Sequence, residues 1–399
     1  MKKKKGLLDW ILQVVSYVLV AALAMGFGYA QASSQLQGSA GDGYPKLDEL
    51  AALINQRFIG EVDPVALEDG AAAGMIAGLG DRWSYYIPAD QYDAHVEQME
   101  NAYVGIGVTI SAEPVEGGFE IIQVEPTGGA KEAGILPGDI LIEVEGQNVV
   151  ENGMDKSKEL IRGDEGTQVN ITILRDGQRM DFTITRKLIE VVVAHGQMLE
   201  GNIGLITIAN FDERCASETI AAIDMLMEQG AVALIFDVRF NPGGYKTELV
   251  EVLDYILPEG VLFRSVYYTG EEEVLESDAN CLDIPMAVLI NSSSYSAAEF
   301  FAAALNEYDW AIIVGEQTVG KSYFQSTFQL SDGSAVGLSV GKYCTPNGIS
   351  LAEVGGLTPE IPAVVDNETA ANIYAGLLDP AEDPQIQVAV EALQKEMAG

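Results

Sequence analysis

The stretch from 287 to 325 constrains the fold more than any other part of the chain. It begins with a short apolar run (Ala287–Ile290), passes through a serine-rich turn and enters an alanine-rich segment (Ala297–Glu307). A short apolar run is typical of a buried strand, and the longer segment is typical of a helix. A second apolar run (Ala311–Gly315) predicts another strand. Alternating strands and helices of this kind indicate an α/β domain.

Ser296 lies where the first predicted strand gives way to the helix. Its side chain should face the first helical turn, where free N–H groups and the positive helix end can stabilise an oxyanion. Lys321 follows the second strand, and a desolvated lysine can supply the base that a serine nucleophile needs. Ser296 and Glu299 also match a helix capping box, and Ser294 can equally be the cap. This stretch alone leaves both interpretations open.

The composition argues against several kinds of site. The 22 basic and 60 acidic residues give a net charge of −38. Nucleic acid is therefore not an expected partner, because no basic surface is available for its phosphates. The three cysteines are scattered and predict neither a disulfide framework nor a zinc site. With only His95 and His195, a Ser-His-Asp triad or a histidine metal cluster is not expected, and no cofactor is implied.

Residues 1–32 have the pattern of a membrane-targeting segment. A lysine cluster (Lys2–Lys5) precedes an uncharged run from Trp10 to Ala30, which is about long enough to span a bilayer. The positive flank predicts a cytoplasmic N-terminus and an extracytoplasmic catalytic part attached to the cell membrane by a single span. Cleavage after Ala32, which would release the protein, is the alternative. Residues 33–46 read as a flexible stalk.

The remaining chain divides into three predicted regions. Residues 47–102 contain three helical patterns, at Leu47–Phe58, Ala66–Gly78 and Ala89–Ala102. An aromatic turn that includes Trp83 lies between the second and the third, at residues 81–88. Residues 103–188 combine short β-like runs, glycine turns and two short helices, which predicts a partly open β-barrel. Residues 189–399 begin with a linker at Ile189–Leu199, and strands alternate with helices from Ile203 onward.

Within the region 103–188, the run from Ala133 to Asp139 reads Ala-Gly-Ile-Leu-Pro-Gly-Asp. This run and the whole-segment pattern together give the region a resemblance to a PDZ domain. It implies that a loop binds the terminal carboxylate of a peptide, and that the peptide adds a strand to a sheet edge. The residues implied in the loop are Gly105, Ile106, Gly107 and Val108.

Three motifs stand out from Ile203 onward: 237–244 (Asp-Val-Arg-Phe-Asn-Pro-Gly-Gly), 291–299 (Asn-Ser-Ser-Ser-Tyr-Ser-Ala-Ala-Glu) and 320–325 (Gly-Lys-Ser-Tyr-Phe-Gln). In these motifs the chain resembles the C-terminal processing peptidases, the tail-specific serine proteases of family S41. The resemblance implies an α/β multidomain protein: an N-terminal membrane helix, a small helical segment, a PDZ-like β-barrel with two helices and a crotonase-like ββα protease domain.

The same resemblance assigns roles to five residues. It implies Ser296 as the nucleophile, Lys321 as its base and Gln325 as a side chain that holds the lysine by a hydrogen bond. The oxyanion would rest against backbone N–H groups of Ala297 and of Gly243, with Gly244 as the alternative donor. The expected partners are polypeptides with accessible C-termini, a membrane at the N-terminal helix and either a second copy of the chain or an activating protein.

Three positions depart from the family's pattern. Tyr295 replaces an alanine, Ala298 replaces a serine and Ser322 replaces a glycine. A bulky Tyr295 would narrow the cleft, but none of the three changes removes the serine or the lysine. Two rival classes stay open: a protease-dead adaptor that binds C-terminal tails, and an acyl-CoA enzyme of the crotonase architecture. The second lacks evident basic residues for CoA phosphates near Gly243.

Overall fold

The computed structural model describes residues 44–111, 113–115 and 117–398. The predicted membrane segment at 1–32, and the predicted stalk up to residue 43, lie outside the described residues. Within those ranges, no helix combines the length and the apolar character needed to cross a bilayer. The chain forms two compact units, with the division between Gly78 and Leu79.

The first unit contains two helices, α1 (Pro45–Arg57) and α2 (Pro64–Ala77). Each has proline in its first turn, where no backbone N–H is missed. Asp63 caps α2, because its carboxylate accepts from the Val65 N–H at 3.0 Å and from the Ala66 N–H at 3.3 Å. Neither helix contains a buried residue. Both helices were predicted to within two residues at each end.

The second unit opens with elements that only partly match the predicted helical region 47–102. A short strand, β1 (Tyr85–Ile87), precedes helix α3 (Ala89–Met99). The chain then enters strand β2 (Ala102–Gly105), where the pattern had predicted the end of a helix. The helix stops early because Asn101 adopts a left-handed conformation with a φ of 50°.

The predicted PDZ region forms a small sheet with three short helices. Its strands are β3 (Val108–Ile110), β4 (Phe119–Val124), β5 (Ile140–Val144), β6 (Gln147–Asn148), β7 (Gln168–Arg175), β8 (Gln178–Thr185) and β9 (Lys187–Glu190). Its helices are α4 (Gly129–Ala133), α5 (Val149–Asn152) and α6 (Met154–Ile161). The strand order is β3-β4-β5-β7-β8, with β6 beside β5, while β9 pairs with β2. Strand β3 is therefore an edge strand.

The remaining elements form the larger domain. Its strands are β10 (Ala194–Leu199), β11 (Ile203–Ile208), β12 (Ala233–Asp237), β13 (Gly260–Tyr267), β14 (Glu272–Ser277), β15 (Met286–Ile290), β16 (Ile312–Gly315), β17 (Tyr323–Gln329), β18 (Ala335–Cys344) and β19 (Ile361–Pro362). Its helices are α7 (Cys215–Glu228), α8 (Lys246–Ile256), α9 (Ala297–Glu307), α10 (Leu351–Val354), α11 (Asn367–Tyr374) and α12 (Pro384–Met397).

The main sheet of this domain has the order β10-β11-β12-β15-β16-β19. Strands β11, β12, β15, β16 and β19 run parallel, and β10 is antiparallel to β11. All residues of β12 and β15 are buried, as expected for central strands covered on both faces. Helix α9 is buried from Ala297 to Leu305 and packs in the largest hydrophobic core.

A second sheet has the order β1-β18-β13-β14, and β17 also pairs with β18. Its strands are antiparallel and half exposed, so their hydrophobic pattern is weak. The prediction that Ile189–Leu199 is a linker was wrong, because a half-exposed strand in this segment also has a weak hydrophobic pattern. Strand β10 occupies residues 194–199 at the edge of the main sheet, where only Ala194 is buried.

Candidate active site

The carboxyl ends of four parallel strands meet at one edge of the main sheet, where open α/β sheets bind their ligands. The loops that leave this edge follow β11, β12, β15 and β16. Together with α3 and β17 they enclose a cleft of about 810 Å³. The cleft brings together residues that lie far apart in the sequence: Gly243, Gly244, Ser296, Lys321 and Gln325.

Ser296 occupies the N-cap position of α9 in a strained backbone conformation, with φ 58° and ψ −127°. A non-glycine residue in such a region costs roughly 1–3 kcal/mol and persists only where its surroundings fix it. Gly243 lies directly against the serine: a Cβ on Gly243 would be 2.7 Å from the Ser296 Cβ, so glycine at 243 leaves the room that this conformation needs. The strand–turn–helix connection thus holds the serine at the edge of the cleft, as nucleophile turns do.

The two cap candidates have different roles. The Ser294 hydroxyl donates to the Val238 carbonyl at 2.7 Å and accepts from the Asn291 N–H at 3.0 Å, which ties the turn to the end of β12. Ser296 stands at the helix terminus itself, and its N–H donates to Glu299 Oε2 at 3.0 Å. The Glu299 part of the capping box is therefore present, and it leaves Ser296 in the cleft.

Glu299 connects the serine turn to the lysine loop. Its carboxylate is fully buried, and besides the Ser296 N–H it accepts from the Lys321 N–H at 2.8 Å and the Gly320 N–H at 2.6 Å. The Thr318 hydroxyl also donates to it. Burial raises the pKa of Glu299, while the four donors act in the opposite direction. One carboxylate thus fixes the relative position of residues 296 and 321.

Lys321 is largely buried, and burial lowers its pKa below the usual value for lysine. The negative charges of Glu299 and Asp81 oppose this shift, whereas the nearby Arg82 cation reinforces it. The lowered pKa favours the neutral amine that a general base requires.

Two aromatic rings lie beside the lysine. The Lys321 Nζ is 4.8 Å from the Trp83 ring centroid and 5.7 Å from that of Tyr295. The two rings stack on each other with centroids 6.2 Å apart. The two rings shield the lysine amine from water, although their π-faces also attract its cationic form. Tyr295, the bulky departure from the family's pattern, therefore lines the cleft.

The Gln325 side chain does not form the predicted hydrogen bond to Lys321. Its amide donates to the Tyr323 carbonyl at 3.1 Å and to the Ser339 hydroxyl at 3.0 Å. The pairing of β17 with β18 shifts register between Phe324 and Gln325. Such an irregularity changes the direction of a side chain. Gln325 therefore lines the cleft, but its amide contacts Ser339 on the neighbouring strand β18. Within the described residues, no hydrogen bond joins the Ser296 side chain to the Lys321 ammonium.

The Pro242-Gly243-Gly244 turn also corrects a prediction. The Gly243 N–H donates to Asn241 Oδ1 at 2.8 Å and is not free to meet an oxyanion. For the N–H groups of Gly244 and Ala297, the described residues supply no hydrogen-bond partner. Gly244 is required for a different reason: a Cβ there would lie 2.2 Å from the Phe211 carbonyl carbon. The candidate donors are therefore Ala297 and Gly244.

The other two departures from the family's pattern fit their surroundings. Ala298 is fully buried in the hydrophobic core, where the absence of a hydroxyl leaves nothing to satisfy. Ser322 is also fully buried, and its hydroxyl accepts from the Ala352 N–H at 2.8 Å. Among the described residues, neither forms a hydrogen bond with the Ser296 or Lys321 side chain.

A second buried carboxylate, Asp212, lines the cleft on the loop after β11. It is only 7% exposed, and the described residues offer its Oδ1 no hydrogen-bond partner. Burial, together with the nearby charge of Glu248, raises the pKa of Asp212 to about 7. Ionisation of this carboxylate, next to the glycine turn, therefore costs free energy.

The predicted carboxylate loop lies at one end of a separate groove of about 260 Å³ between β3 and α6. Gly105, Ile106, Gly107 and Val108 all line it. The backbone N–H groups of Ile106 and Gly107 find no hydrogen-bond partner in the described chain, and Gly107 needs its positive φ of 75°. A free edge strand beside unpaired N–H groups suits an extended peptide with a terminal carboxylate.

Comparison with known proteins agrees with this architecture. The sequence pattern of peptidase family S41 matches residues 202–363, and that of the PDZ domain matches residues 120–175. The chain is 33% identical over 367 residues to the carboxy-terminal processing protease CtpA of Bacillus subtilis (strain 168), covering 90% of this chain and 78% of that protein. The chain belongs to the C-terminal processing peptidases of family S41. It therefore combines an S41 protease domain with a PDZ domain.

Other relatives of this peptidase extend the comparison. It is 30% identical over 326 residues to the carboxyl-terminal-processing protease of Synechocystis sp. (strain PCC 6803), covering 80% of this chain and 75% of that protein. A solved structure described as an S41 protease from Bacteroides fragilis NCTC 9343 superposes with a TM-score of 0.51 at 16% identity. That alignment covers 84% of this chain and 90% of the other, and it shows a shared fold.

Sequence reasoning missed two contributors to the site of this peptidase. Glu299 was interpreted only as part of a capping box, although a charged residue inside an otherwise apolar helix is a signal in itself. Trp83 was placed only in an aromatic turn. No sequence signal connects Trp83 to Lys321, because only tertiary packing brings them together.

Proposed function

We propose that this chain is a membrane-anchored, extracytoplasmic serine endopeptidase with a Ser296/Lys321 dyad. The proposal rests chiefly on one observation: the Glu299 carboxylate binds the backbone of both residues at the edge of one cleft. The pKa of Lys321, lowered by burial, supports its role as the base. The membrane location rests on the sequence pattern of residues 1–32 alone.

In the proposed reaction the Ser296 Oγ attacks the carbonyl carbon of the scissile peptide bond while neutral Lys321 accepts its proton. The negative charge that develops on the carbonyl oxygen would be met by the N–H groups of Ala297 and Gly244. The Lys321 ammonium then returns the proton to the leaving amine. Water hydrolyses the acyl-enzyme with the lysine again as the base, which restores the serine hydroxyl.

The second part of the proposal concerns the substrate. The groove beside β3 would bind the C-terminal tail of a polypeptide, with the terminal carboxylate at the free N–H groups of Ile106 and Gly107. Capture of a tail by the PDZ domain would place the same polypeptide near the cleft. This step predicts a preference for a free C-terminal carboxylate over an amidated one.

A protease-dead adaptor is the second candidate, and two observations favour it. The Ser296 and Lys321 side chains share no hydrogen bond among the described residues, and the Gln325 amide bonds to Ser339 instead of the lysine. An adaptor would bind tails without cleaving them. Catalytic hydrogen bonds are often long before substrate binds, so this geometry does not outweigh the shared Glu299 contact.

The deciding experiment is mass spectrometry of an unstructured peptide incubated with the purified full-length protein, as wild type and as Ser296→Ala and Lys321→Ala. Fragments from the wild type alone are expected, because each variant removes one member of the dyad. Near-wild-type cleavage by either variant would contradict the assignment. Tail binding without any cleavage by the wild type would favour the adaptor.

A further inference from the structure

The tail-binding groove contains positive charge in a protein that is otherwise strongly acidic. Lys158 and Arg162 both line it, although the whole chain carries a net charge of −38. The other α6 residues that line the groove are apolar: Met154 and Ile161. Residues 154, 158 and 161 recur with helical spacing, so one face of α6 presents an apolar, cationic and apolar side chain to the groove.

Arg162 is already engaged at the carboxylate end of the groove. Its guanidinium forms an ion pair with Glu97 at 2.9 Å and lies 5.6 Å from the centroid of the Tyr103 ring, two residues before the carboxylate loop. Glu125, whose charge acts on the same Tyr103, accepts a hydrogen bond from the Gln123 amide at 2.9 Å. Glu97 and Glu125 are therefore both partnered, and the Arg162 guanidinium already has an anionic partner.

Lys158 differs from Arg162 in having no partner. Across the described residues its ammonium forms neither a hydrogen bond nor an ion pair, whereas Lys156 on the same helix pairs with Glu159 at 2.8 Å. An exposed lysine on a helix is usually only solvated. The location of Lys158 in the groove, between two apolar side chains, is what distinguishes it from other surface lysines.

The spacing along α6 predicts which tail residue the lysine meets. Lys158 precedes Ile161 by three residues, or about 4.5 Å along the helix axis. An extended tail advances about 3.3 Å per residue, so a tail side chain two residues further along is about 6.6 Å away, within reach of a long lysine side chain. Side chains two apart also point to the same side of a strand. If the last side chain faces α6 near Ile161, the third-from-last side chain faces Lys158.

We propose that the groove selects tails that end in an apolar residue and carry a carboxylate side chain at the third position from the end, and that Lys158 recognises this carboxylate. The apolar terminal side chain would pack against Ile106 and Ile161, both of which are buried. The inference rests on the proposed tail capture and names its substrate class.

The test measures binding of labelled ten-residue peptides by fluorescence anisotropy, using the full-length Ser296→Ala protein so that peptides stay intact. One peptide ends in valine with glutamate third from the end, and a second has glutamine there. A third moves the glutamate six positions upstream at unchanged net charge. The first is expected to bind roughly two- to fivefold more tightly than the others at low salt, the range of an exposed ion pair.

Variants separate the local contact from the overall field of the protein. Lys158→Gln should abolish the preference, and Lys158→Glu should reverse it toward a peptide with lysine at the same position. Lys156→Glu makes the same charge change on the same helix outside the groove, and should retain the preference. Equal affinity for the glutamate and glutamine tails, or a preference that survives Lys158→Glu, would overturn the inference.

Failure of the underlying proposal gives a different result. If free and amidated tails bind equally or not at all, tail capture is wrong and the selection falls with it. If free tails bind better than amidated ones but without a charge preference, capture stands and only the role of Lys158 is lost. Ser296-dependent cleavage, measured separately with the wild type, does not depend on either result.

Discussion

Two buried carboxylates beside the cleft, Glu299 and Asp212, differ in what surrounds them. Glu299 accepts hydrogen bonds from four donors on the serine turn and the lysine loop. Asp212 lies on the loop after β11 with an Oδ1 that has no partner among the described residues. Burial raises the pKa of both groups, and that of Asp212 reaches about 7.

The comparison shows that burial alone does not decide what a carboxylate does for a fold. Removal from water disfavours the charged form at both positions. At Glu299 the four hydrogen-bond donors offset this cost, and the carboxylate links the serine turn to the lysine loop. At Asp212 the cost remains, so that the loop is less stable when the group is ionised. The two sites therefore respond differently to removal of the charge.

The largest effect is expected for Glu299→Gln. The amide keeps one acceptor oxygen but turns an NH₂ group toward backbone donors, which should cost roughly 2–3 kcal/mol of unfolding free energy. Because Ser296 and Lys321 lose their common anchor, kcat should fall by about 100-fold, in line with small misplacements of catalytic groups. Urea unfolding and peptide cleavage measure the two effects.

Glu307→Gln on the same helix provides the control for this prediction. Glu307 also accepts two hydrogen bonds, from the Thr345 hydroxyl at 2.6 Å and the Asn347 N–H at 2.8 Å, but it does not line the cleft. It should lose stability while retaining kcat. An equal loss of kcat in both variants would show that Glu299 is only a structural residue.

Asp212→Asn is expected to have a smaller effect of the opposite sign on stability. An aspartate ionises near pH 4 in the unfolded chain but near pH 7 here, so the wild type should lose stability as pH rises from 4 to 7. A rise of about three pKa units corresponds to about 4 kcal/mol between pH 4 and pH 8. The variant has no such ionisation, but burying its NH₂ group costs about 1–3 kcal/mol, so it should be more stable than the wild type at pH 8 by about 1–2 kcal/mol. Below pH 4 the wild type should be the more stable of the two.

Urea midpoints measured between pH 4 and pH 8 test this prediction. Asp93→Asn on α3 serves as the reference, because Asp93 is exposed and does not line the cleft. It should change stability little and leave the pH dependence intact. A variant at Asp212 that is destabilised at pH 8 would mean that the carboxylate has a stabilising partner.

Arg82→Gln should have the smallest effect, which is a change in the pKa of Lys321. The Arg82 cation lowers the pKa of Lys321, whereas Glu299 raises it. Without the arginine the lysine holds its proton to higher pH, so the rise of kcat/KM with pH should move upward. Added salt should shrink the difference, because Arg82 is exposed.

The pH dependence of kcat/KM for wild type and variant gives the answer. Arg179→Gln removes a similar exposed arginine from the PDZ domain, outside the lining of the cleft, and should leave the profile unchanged. A downward shift in Arg82→Gln would contradict the proposed role of neutral Lys321 as the base.

Local pattern predicted the central elements closely. Helix α9 has the predicted bounds Ala297–Glu307, and β15 differs from its prediction by one residue. These segments are buried on all sides and carry continuous apolar signals. The hairpin β13–β14 and the edge strand β10 were missed because they are half exposed, so that their apolar and polar residues alternate only weakly.

The sequence by itself determined the family, the PDZ domain and the candidate nucleophile and base, because motifs and local periodicity are properties of neighbouring residues. The tertiary structure decided the contacts between distant loops: Glu299 with Lys321, Trp83 with the lysine, and Asn241 Oδ1 on the Gly243 N–H. Hydrogen bonds and burial depend on which loops meet at the sheet edge. No sequence pattern within a single segment predicts these contacts between loops.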